Sequence, residues 1–158
     1  MQRVLCAVLA VAALGGPALA GPAQSGRKPD FSGSWTMNAA KSTFGVVPPP
    51  ASITRKITHA EPAMAIEEVQ DSPLGVQETT RKYQTDGSET TFSAQGADVK
   101  TSAKWEGDVL VVISTVEMIG ISYNDRMSLS PDGKTLTSTI AIGSPQGNVD
   151  VVVVFDKQ

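Results

Sequence analysis

The sequence predicts an all-β fold, an antiparallel up-and-down meander of about ten strands, alternatively eight, closed into a barrel. Three features of the sequence support this prediction: runs that alternate apolar and polar residues, the turn residues between these runs, and the short connections. Short runs alternate apolar and polar side chains, as half-buried strands do. Turn residues divide them at close intervals. No connection is long enough for a parallel crossover, so strands that follow one another in sequence should pair.

The opening strand is expected over residues 30–37, the first alternating run after an apolar leader. It contains a Gly-x-Trp pair, Gly33 and Trp35, to which we assign a structural role. A single helical turn capped by Asn38 should follow, because Pro48-Pro49-Pro50 prevents a longer helix. The remaining strands are predicted over residues 52–60, 63–70, 76–85, 88–94, 98–106, 109–118, 121–130, 134–143 and 148–156.

The turns also predict how the later strands pair, and all the pairs place apolar residues on one face. The last strand should return to the first, because closure removes unpaired edges. An open two-layer sandwich is the alternative. The expected partners are Trp105 with Leu110, Ala103 with Val112 and Thr101 with Ser114; Leu110 with Leu129, Val112 with Met127, Ser114 with Asp125 and Val116 with Tyr123; Leu129 with Leu136, Met127 with Ser138, Asp125 with Ile140 and Tyr123 with Ile142; and Ile142 with Val149, Ile140 with Val151, Ser138 with Val153 and Leu136 with Phe155.

The first twenty residues have the pattern of a secretory signal peptide. Arg3 supplies the positive start, residues 4–14 the apolar region and Ala18-Leu19-Ala20 the cleavage site, so export to the periplasm or medium is expected. The apolar region is too short for a membrane span of about 20 residues. The domain prediction is a signal over 1–20, a flexible segment over 21–29 and a single barrel over 30–158. Cys6 lies in the leader, so the mature chain has no disulfide.

The opening Phe31-Ser32-Gly33-Ser34-Trp35, the meander and the closing run 151–155 resemble the lipocalin and calycin superfamily, which includes the fatty-acid-binding proteins. The start 30–38, followed by Lys41-Ser42 and Phe44, is similar to small exported bacterial proteins of unassigned function. The resemblance implies that Gly33 lets the Trp35 ring lie against the barrel floor. The chain departs from it in having no obvious basic residue to cover Trp35, and no Arg-x-Tyr clamp in the last strands.

Polar side chains interrupt the shared apolar face, and we interpret them as candidate ligand contacts, since small-molecule sites combine apolar walls with a few convergent polar groups. The strand over 52–60 adds two more on the face of Ile53 and Ile57. The alternative is a barrel filled by its own side chains, with Asp125 bonded to Ser114 and Thr101, and with His59 at a solvent-exposed rim. The candidates are Asp125, Ser114, Thr101, Tyr123, Ser138, Arg55 and His59.

Composition and spacing exclude several functions. A net charge of −3 does not attract nucleic acid. With a single His and no mature Cys, no zinc site of the usual kind is predicted, and no cofactor is expected. Haem ligation by His59 is a weaker alternative. Glu67 and Glu68 are neighbours on a strand and point to opposite faces, so they cannot form a catalytic pair.

The leading functional hypothesis is an exported lipocalin-like protein that binds a small apolar or amphipathic molecule inside the barrel. The alternative is an envelope interaction module or inhibitor that acts through its loops and outer surface. An enzyme using Asp125 and Tyr123 has the least support. The oligomeric state is left open. The outer face of two strands is also apolar and is expected to be exposed at Val109, Val111, Ile113, Val152 and Val154.

Overall fold

A computed structural model describes residues 26–94 and 96–158. The predicted signal peptide, 1–20, and residues 21–25 of the predicted flexible segment lie outside the described residues. Over the described ranges the chain forms ten strands and two 3-10 turns, and none of its helices is long and apolar enough to cross a membrane. The strands are β1 Gly33–Met37, β2 Ser52–Ala60, β3 Ala63–Ser72, β4 Gly75–Gln84, β5 Asp86–Ala94, β6 Ala97–Glu106, β7 Val109–Val116, β8 Ile121–Leu129, β9 Thr135–Ser144 and β10 Gly147–Lys157.

The strands form one antiparallel sheet in the order β4-β3-β2-β1-β10-β9-β8-β7-β6-β5. The predicted meander is therefore confirmed, and so is the return of the last strand to the first, because β1 pairs with β10. The short turn after β1 also forms, with the Asn38 side chain accepting a hydrogen bond from the Lys41 amide at its start. The sheet rolls into a nearly closed barrel.

The barrel has a gap between β4 and β5, which are the two ends of the hydrogen-bonded sheet. The prediction that successive strands pair is wrong at this one connection, because β4 and β5 are not hydrogen-bonded neighbours. Asp86 pairs instead with Lys104 of β6, and an irregularity in the strand separates this pair from the rest of the ladder. A side-chain hydrogen bond crosses the gap, from Thr90 Oγ1 to the Lys82 carbonyl at 3.1 Å.

The predicted pairs are confirmed between β6 and β7, between β8 and β9, and between β9 and β10. Between β7 and β8 the prediction is wrong by two residues, because a 3-10 turn over Glu117–Ile119 and a left-handed Gly120 (φ 64°) replace the expected two-residue turn. A shift of two keeps every side chain on its predicted face. Asp125 consequently lies opposite Val112, and Ser114 lies opposite Tyr123.

The end of the barrel at the start of β1 is closed by packed aromatic side chains. Trp35 is 1% exposed, and its Nε1 donates to the Phe31 carbonyl at 3.0 Å. Lys157 Nζ lies 5.2 Å from the centre of the Trp35 ring, so this Lys is the covering basic residue that sequence inspection had not found. Gly33 has φ +138°, and a Cβ there would come within 2.7 Å of Lys157 Cε. The Lys157 side chain could move aside, so it is the positive φ that favours glycine at this position.

The outer valines are less exposed than predicted. Ile113 is exposed as expected, but Val111 and Val154 are buried. The segment after β1 covers β10, with backbone hydrogen bonds joining Thr43 to Val152 in both directions at 2.8 Å. Val111 lies between Lys104 and Arg126 on the neighbouring strands, and such long side chains cover apolar surface with their methylene stems.

Candidate functional site

A cavity of about 450 Å³ lies inside the barrel, next to the gap between β4 and β5. We call the barrel end that carries the β3–β4, β7–β8 and β9–β10 turns the mouth. Met118 and Ile119, in the β7–β8 turn, line the cavity and are 75% and 51% exposed, so the cavity opens there. The lining residues are Thr79, Arg81, Tyr83, Phe92, Ala94, Ala97, Val99, Val112, Ser114, Val116, Met118, Ile119, Tyr123, Asp125 and Ile140.

Two ionisable side chains of β4 reach the cavity. Side chains alternate between the two faces of a strand, and both of these residues lie on the face that points into the barrel. Arg81 pairs with Ile66 and Tyr83 with Met64, and both partners on β3 belong to the buried core. The alternation thus carries a guanidinium and a phenol into the barrel. Burial raises the pKa of Tyr83. Its phenol therefore remains protonated at neutral pH, and it has a proton to donate.

Glu68, on β3, binds two arginines. Arg55 Nε donates a short hydrogen bond to Glu68 Oε2, and Arg81 Nη2 lies 2.8 Å from the same oxygen. Burial by itself would raise the pKa of Glu68, but the charges and hydrogen bonds of the two guanidiniums outweigh it and lower the pKa to about 2. This carboxylate is therefore ionised at any physiological pH.

Arg81 lines the cavity with a side chain that is 23% exposed. Its Nε atom is buried and has no hydrogen-bond partner among the described residues. Its Nη2 atom is also buried, and Glu68 holds it in an ion pair. Buried donors without partners are rare in folded proteins and are unfavourable by about 1–3 kcal/mol. The site therefore favours a bound group that brings acceptor oxygens.

Asp125 is held by a hydroxyl group and has no arginine as its direct partner. Ser138 Oγ lies 2.6 and 2.8 Å from the two carboxyl oxygens of Asp125, and it accepts a hydrogen bond from Arg55 Nη1 at 3.3 Å. The Arg55 guanidinium also lies 4.4 Å above the Phe155 ring. Burial raises the pKa of Asp125, and the charge of Arg55 and the Ser138 hydrogen bond offset this only in part.

The raised pKa of Asp125 predicts a fall in stability with pH. A carboxyl group whose pKa is higher in the folded than in the unfolded state stabilises the fold below its unfolded pKa of about 3.9, and that contribution is lost as pH rises through the folded value. We therefore expect Asp125→Asn to raise the free energy of unfolding at pH 8 by about 1 kcal/mol or more, and to change it less at pH 5. Urea unfolding at both pH values measures the difference, and an equal effect at both would contradict it.

The structure brings most of the predicted candidates to one region. Asp125, Ser114 and Tyr123 line the cavity. Arg55 and Ser138 are buried behind Asp125. Asp125 is not directly opposite Ser114, contrary to the predicted pairing, because of the two-residue shift between β7 and β8.

Like Arg55 and Ser138, the candidates Thr101 and His59 do not line the cavity. Thr101 is buried behind Ser114: it lies 2.9 Å from the Ser114 hydroxyl and donates to the Ile113 carbonyl. His59 lies at the closed end, where its Nε2 is 2.9 Å from Glu61 Oε1 and its Nδ1 accepts from the Phe31 amide. Its side chain is 3% exposed, so the predicted position at a solvent rim is also wrong. Across the described ranges, no group of three His, Cys, Asp or Glu side chains could hold a metal ion.

Sequence reasoning missed Arg81, Tyr83 and Glu68. The turn between β2 and β3 sets Arg55 opposite Glu68, on the face of Ile66, and this register was available from the sequence. Extending it across the next hairpin would have placed Arg81 and Tyr83 inside the barrel. The signal was overlooked because β4 is hydrophilic on both faces, so alternation did not indicate which side is buried.

Comparison with solved structures shows the same kind of fold. Zebrafish ileal bile acid-binding protein, complexed with cholic acid, matches with a TM-score of 0.58 at 17% identity, over 81% of this chain and 98% of that chain. A secretory abundant heat soluble protein from Ramazzottius varieornatus matches with 0.62 at 14%, over 84% and 97%. The fatty-acid-binding protein of Manduca sexta matches with 0.54 at 12%, over 80% and 99%. The chain therefore has the calycin-type barrel fold.

These likenesses are of fold alone, because the identities are low. No family model matches the sequence. No curated protein matches it either. The chemistry of this chain must therefore be argued from its own cavity.

Proposed function

We propose that the protein binds a small amphipathic anion inside the barrel, with the anionic head at Arg81 and the apolar part directed toward the mouth. One observation carries this proposal: the Arg81 side chain, which is 23% exposed, lines a cavity of about 450 Å³ that is otherwise mostly apolar. A guanidinium can bind a carboxylate or sulfonate through two parallel hydrogen bonds. Cavities of this size take small-molecule ligands.

The distribution of polarity in the cavity favours one orientation of the ligand. Arg81, Tyr83 and Asp125 supply the charged and phenolic groups on its inner side. Met118 and Ile119 supply apolar surface at the mouth. A ligand in this orientation keeps its head group among donors and buries its hydrocarbon against hydrocarbon, which contributes about 25 cal/mol per Å² of apolar area removed from water. The walls between are formed by Phe92, Ala94, Ala97, Val99, Val112, Val116 and Ile140.

The structural neighbours support this class of function. Two of them are described as a bile acid-binding and a fatty-acid-binding protein, which are barrels that bind amphipathic acids. Export through the predicted signal and kinship with the small exported bacterial proteins are further parts of the proposal. Amino-terminal sequencing of the protein recovered from its native host tests the export step, and a mature start at Gly21 is expected.

An interaction module is the second candidate, favoured by exposed apolar side chains at the mouth. Val46, Leu74 and Met118 are 85%, 89% and 75% exposed, on separate loops at that end. Contiguous apolar patches mark contact surfaces, so this candidate requires the three side chains to act together on one partner. Under this hypothesis, native mass spectrometry of the purified protein would find no retained small molecule, whereas the binding hypothesis expects one.

The head-group assignment predicts the effect of Arg81→Met. We expect affinity for decanesulfonate at pH 5 to fall about tenfold to a hundredfold, because hydrogen bonds to charged groups contribute about 1.5–3 kcal/mol. Affinity for decanol, which has no charge, should change by less than about threefold. Isothermal titration calorimetry on the folded proteins measures both.

The matched control is Arg126→Met. Arg126 is half exposed on the outer face and pairs with Glu106 at 2.9 Å, so its loss should leave both affinities unchanged. Equal weakening of decanesulfonate and decanol by Arg81→Met would contradict the head-group assignment. Failure of both probes to bind the wild-type protein would contradict the binding proposal itself.

A further inference from the structure

We propose that Asp125 couples ligand binding to protonation, so that the protein takes up one proton for each anion it binds. The inference rests on the proposed anion site at Arg81. The protein would then bind amphipathic anions more tightly at acid pH. Asp125 would determine how strongly it prefers a charged head group over a neutral one.

The charges around the site explain why a proton is needed. Two guanidiniums, Arg55 and Arg81, and two carboxylates, Glu68 and Asp125, lie inside the barrel. With both acids ionised, their formal charges cancel. An added anion would leave an uncompensated negative charge in a buried site, which is unfavourable by several kcal/mol. Uptake of a proton restores neutrality.

The geometry selects Asp125 as the group that takes the proton. Glu68 is held ionised between the two arginines, and its pKa is about 2. Asp125 lines the cavity, and no Lys or Arg of the described chain lies within ion-pair distance of its carboxyl group. An anion bound to Arg81 in the same cavity adds a like charge near this carboxylate. Two such groups in one enclosed site cannot both remain ionised without cost, so the proton affinity of Asp125 rises.

The other groups that face Asp125 do not compete for this role. Arg55 from β2 and Arg81 from β4 are permanently charged. Tyr83 from β4 already carries its proton, since burial raises its pKa. Ser138 from β9 donates to Asp125 and so favours its ionised form. Tyr123 of β8 and Ser114 of β7 line the same cavity and present hydroxyl groups to it.

Protonation of Asp125 also changes what the site prefers to bind. The neutral carboxylic acid adds an O–H donor beside Arg81, which suits a carboxylate or sulfonate. The ionised form instead offsets the charge of Arg81 and repels an anion, so a neutral alcohol competes better. We therefore expect the preference for decanesulfonate over decanol to decrease as pH rises.

Calorimetric titration with decanesulfonate from pH 5 to pH 8 tests the inference, because a sulfonate stays ionised over this range and any proton uptake belongs to the protein. Each titration is run in two buffers of different ionisation enthalpy, which counts the protons. We expect uptake approaching one proton in part of the range, where the affinity falls by up to about tenfold per pH unit. Asp125→Asn should bind without proton uptake and with an affinity that does not depend on pH.

Two further variants keep the test independent of that substitution. His59→Gln removes the imidazole at the closed end, away from the cavity, and the pH dependence should persist. Ser138→Ala removes the hydrogen bond that favours ionised Asp125, and the fall in affinity should move to higher pH. Binding of decanesulfonate to the wild type with no proton uptake and a flat pH profile would overturn this inference and leave the proposed function intact. Absence of binding at every pH, in the wild type and in Asp125→Asn, would overturn the proposed function.

Discussion

Glu68→Gln is expected to lower the free energy of unfolding at neutral pH by about 3 kcal/mol. The carboxylate is the shared partner of Arg55 and Arg81, and its pKa in the fold is about 2, against 4.5 for an unperturbed glutamate. A depressed pKa contributes stability that is present above the unfolded value and lost as pH falls through the folded one. A loss of similar magnitude is expected from the ion pair, because removing one partner of a buried ion pair typically costs about 3–5 kcal/mol.

The neighbouring Glu67 provides the control for this substitution. Glu67 points outward and is exposed, so Glu67→Gln removes the same charge from the same strand without disturbing an interior partner. Urea unfolding at pH 7 should separate the two variants clearly, and acidification toward pH 2 should reduce the difference between Glu68→Gln and the wild type. Coincident unfolding curves for the two variants at pH 7 would contradict the structural role of Glu68.

The fold was predictable because its turns and its alternation agree. The Gly107-Asp108 turn fixed the pairing of β6 with β7. In the last strands, only one of the two alternating sets of side chains could face the interior and keep the apolar residues together. Where the turn residues admit more than one turn, the prediction failed. Ile119-Gly120 suits a two-residue hairpin, but Glu117–Ile119 makes a 3-10 turn, and this moves Asp125 away from Ser114 to face Val112.

The candidate site was only partly predictable, for a different reason. Asp125 and Arg55 stood out because each interrupts an otherwise apolar face. Arg81 did not, since β4 carries polar residues on both faces and its inward parity depends on two successive hairpin registers. Alternation identifies a charged residue in an apolar wall, but it cannot identify one in a polar strand that borders a cavity. That limitation applies to any barrel whose binding site includes hydrophilic strands.

Trp35→Ala is expected to destabilise the fold by about 3–5 kcal/mol. The ring is fully buried in the core with Phe31 and Phe155, its Nε1 bonds the Phe31 carbonyl, and Lys157 covers it from the outer end. Trp35→Phe keeps most of the apolar volume but leaves that carbonyl without its donor, so a smaller loss is expected. Far-ultraviolet circular dichroism during urea unfolding measures both, because fluorescence would also change with the removal of a tryptophan.

The same variant separates stability from binding. Trp35 does not line the cavity, and Phe31 and Trp35 close the opposite end of the barrel from Met118. While it remains folded, Trp35→Ala should therefore bind decanesulfonate with an affinity within about threefold of that of the wild type. The reason is that the Arg81 end of the cavity keeps its own walls and charges. A large loss of affinity in the still-folded variant would mean that the two halves of the barrel interior are coupled. In that case Trp35 would belong to the binding site as well as to the floor.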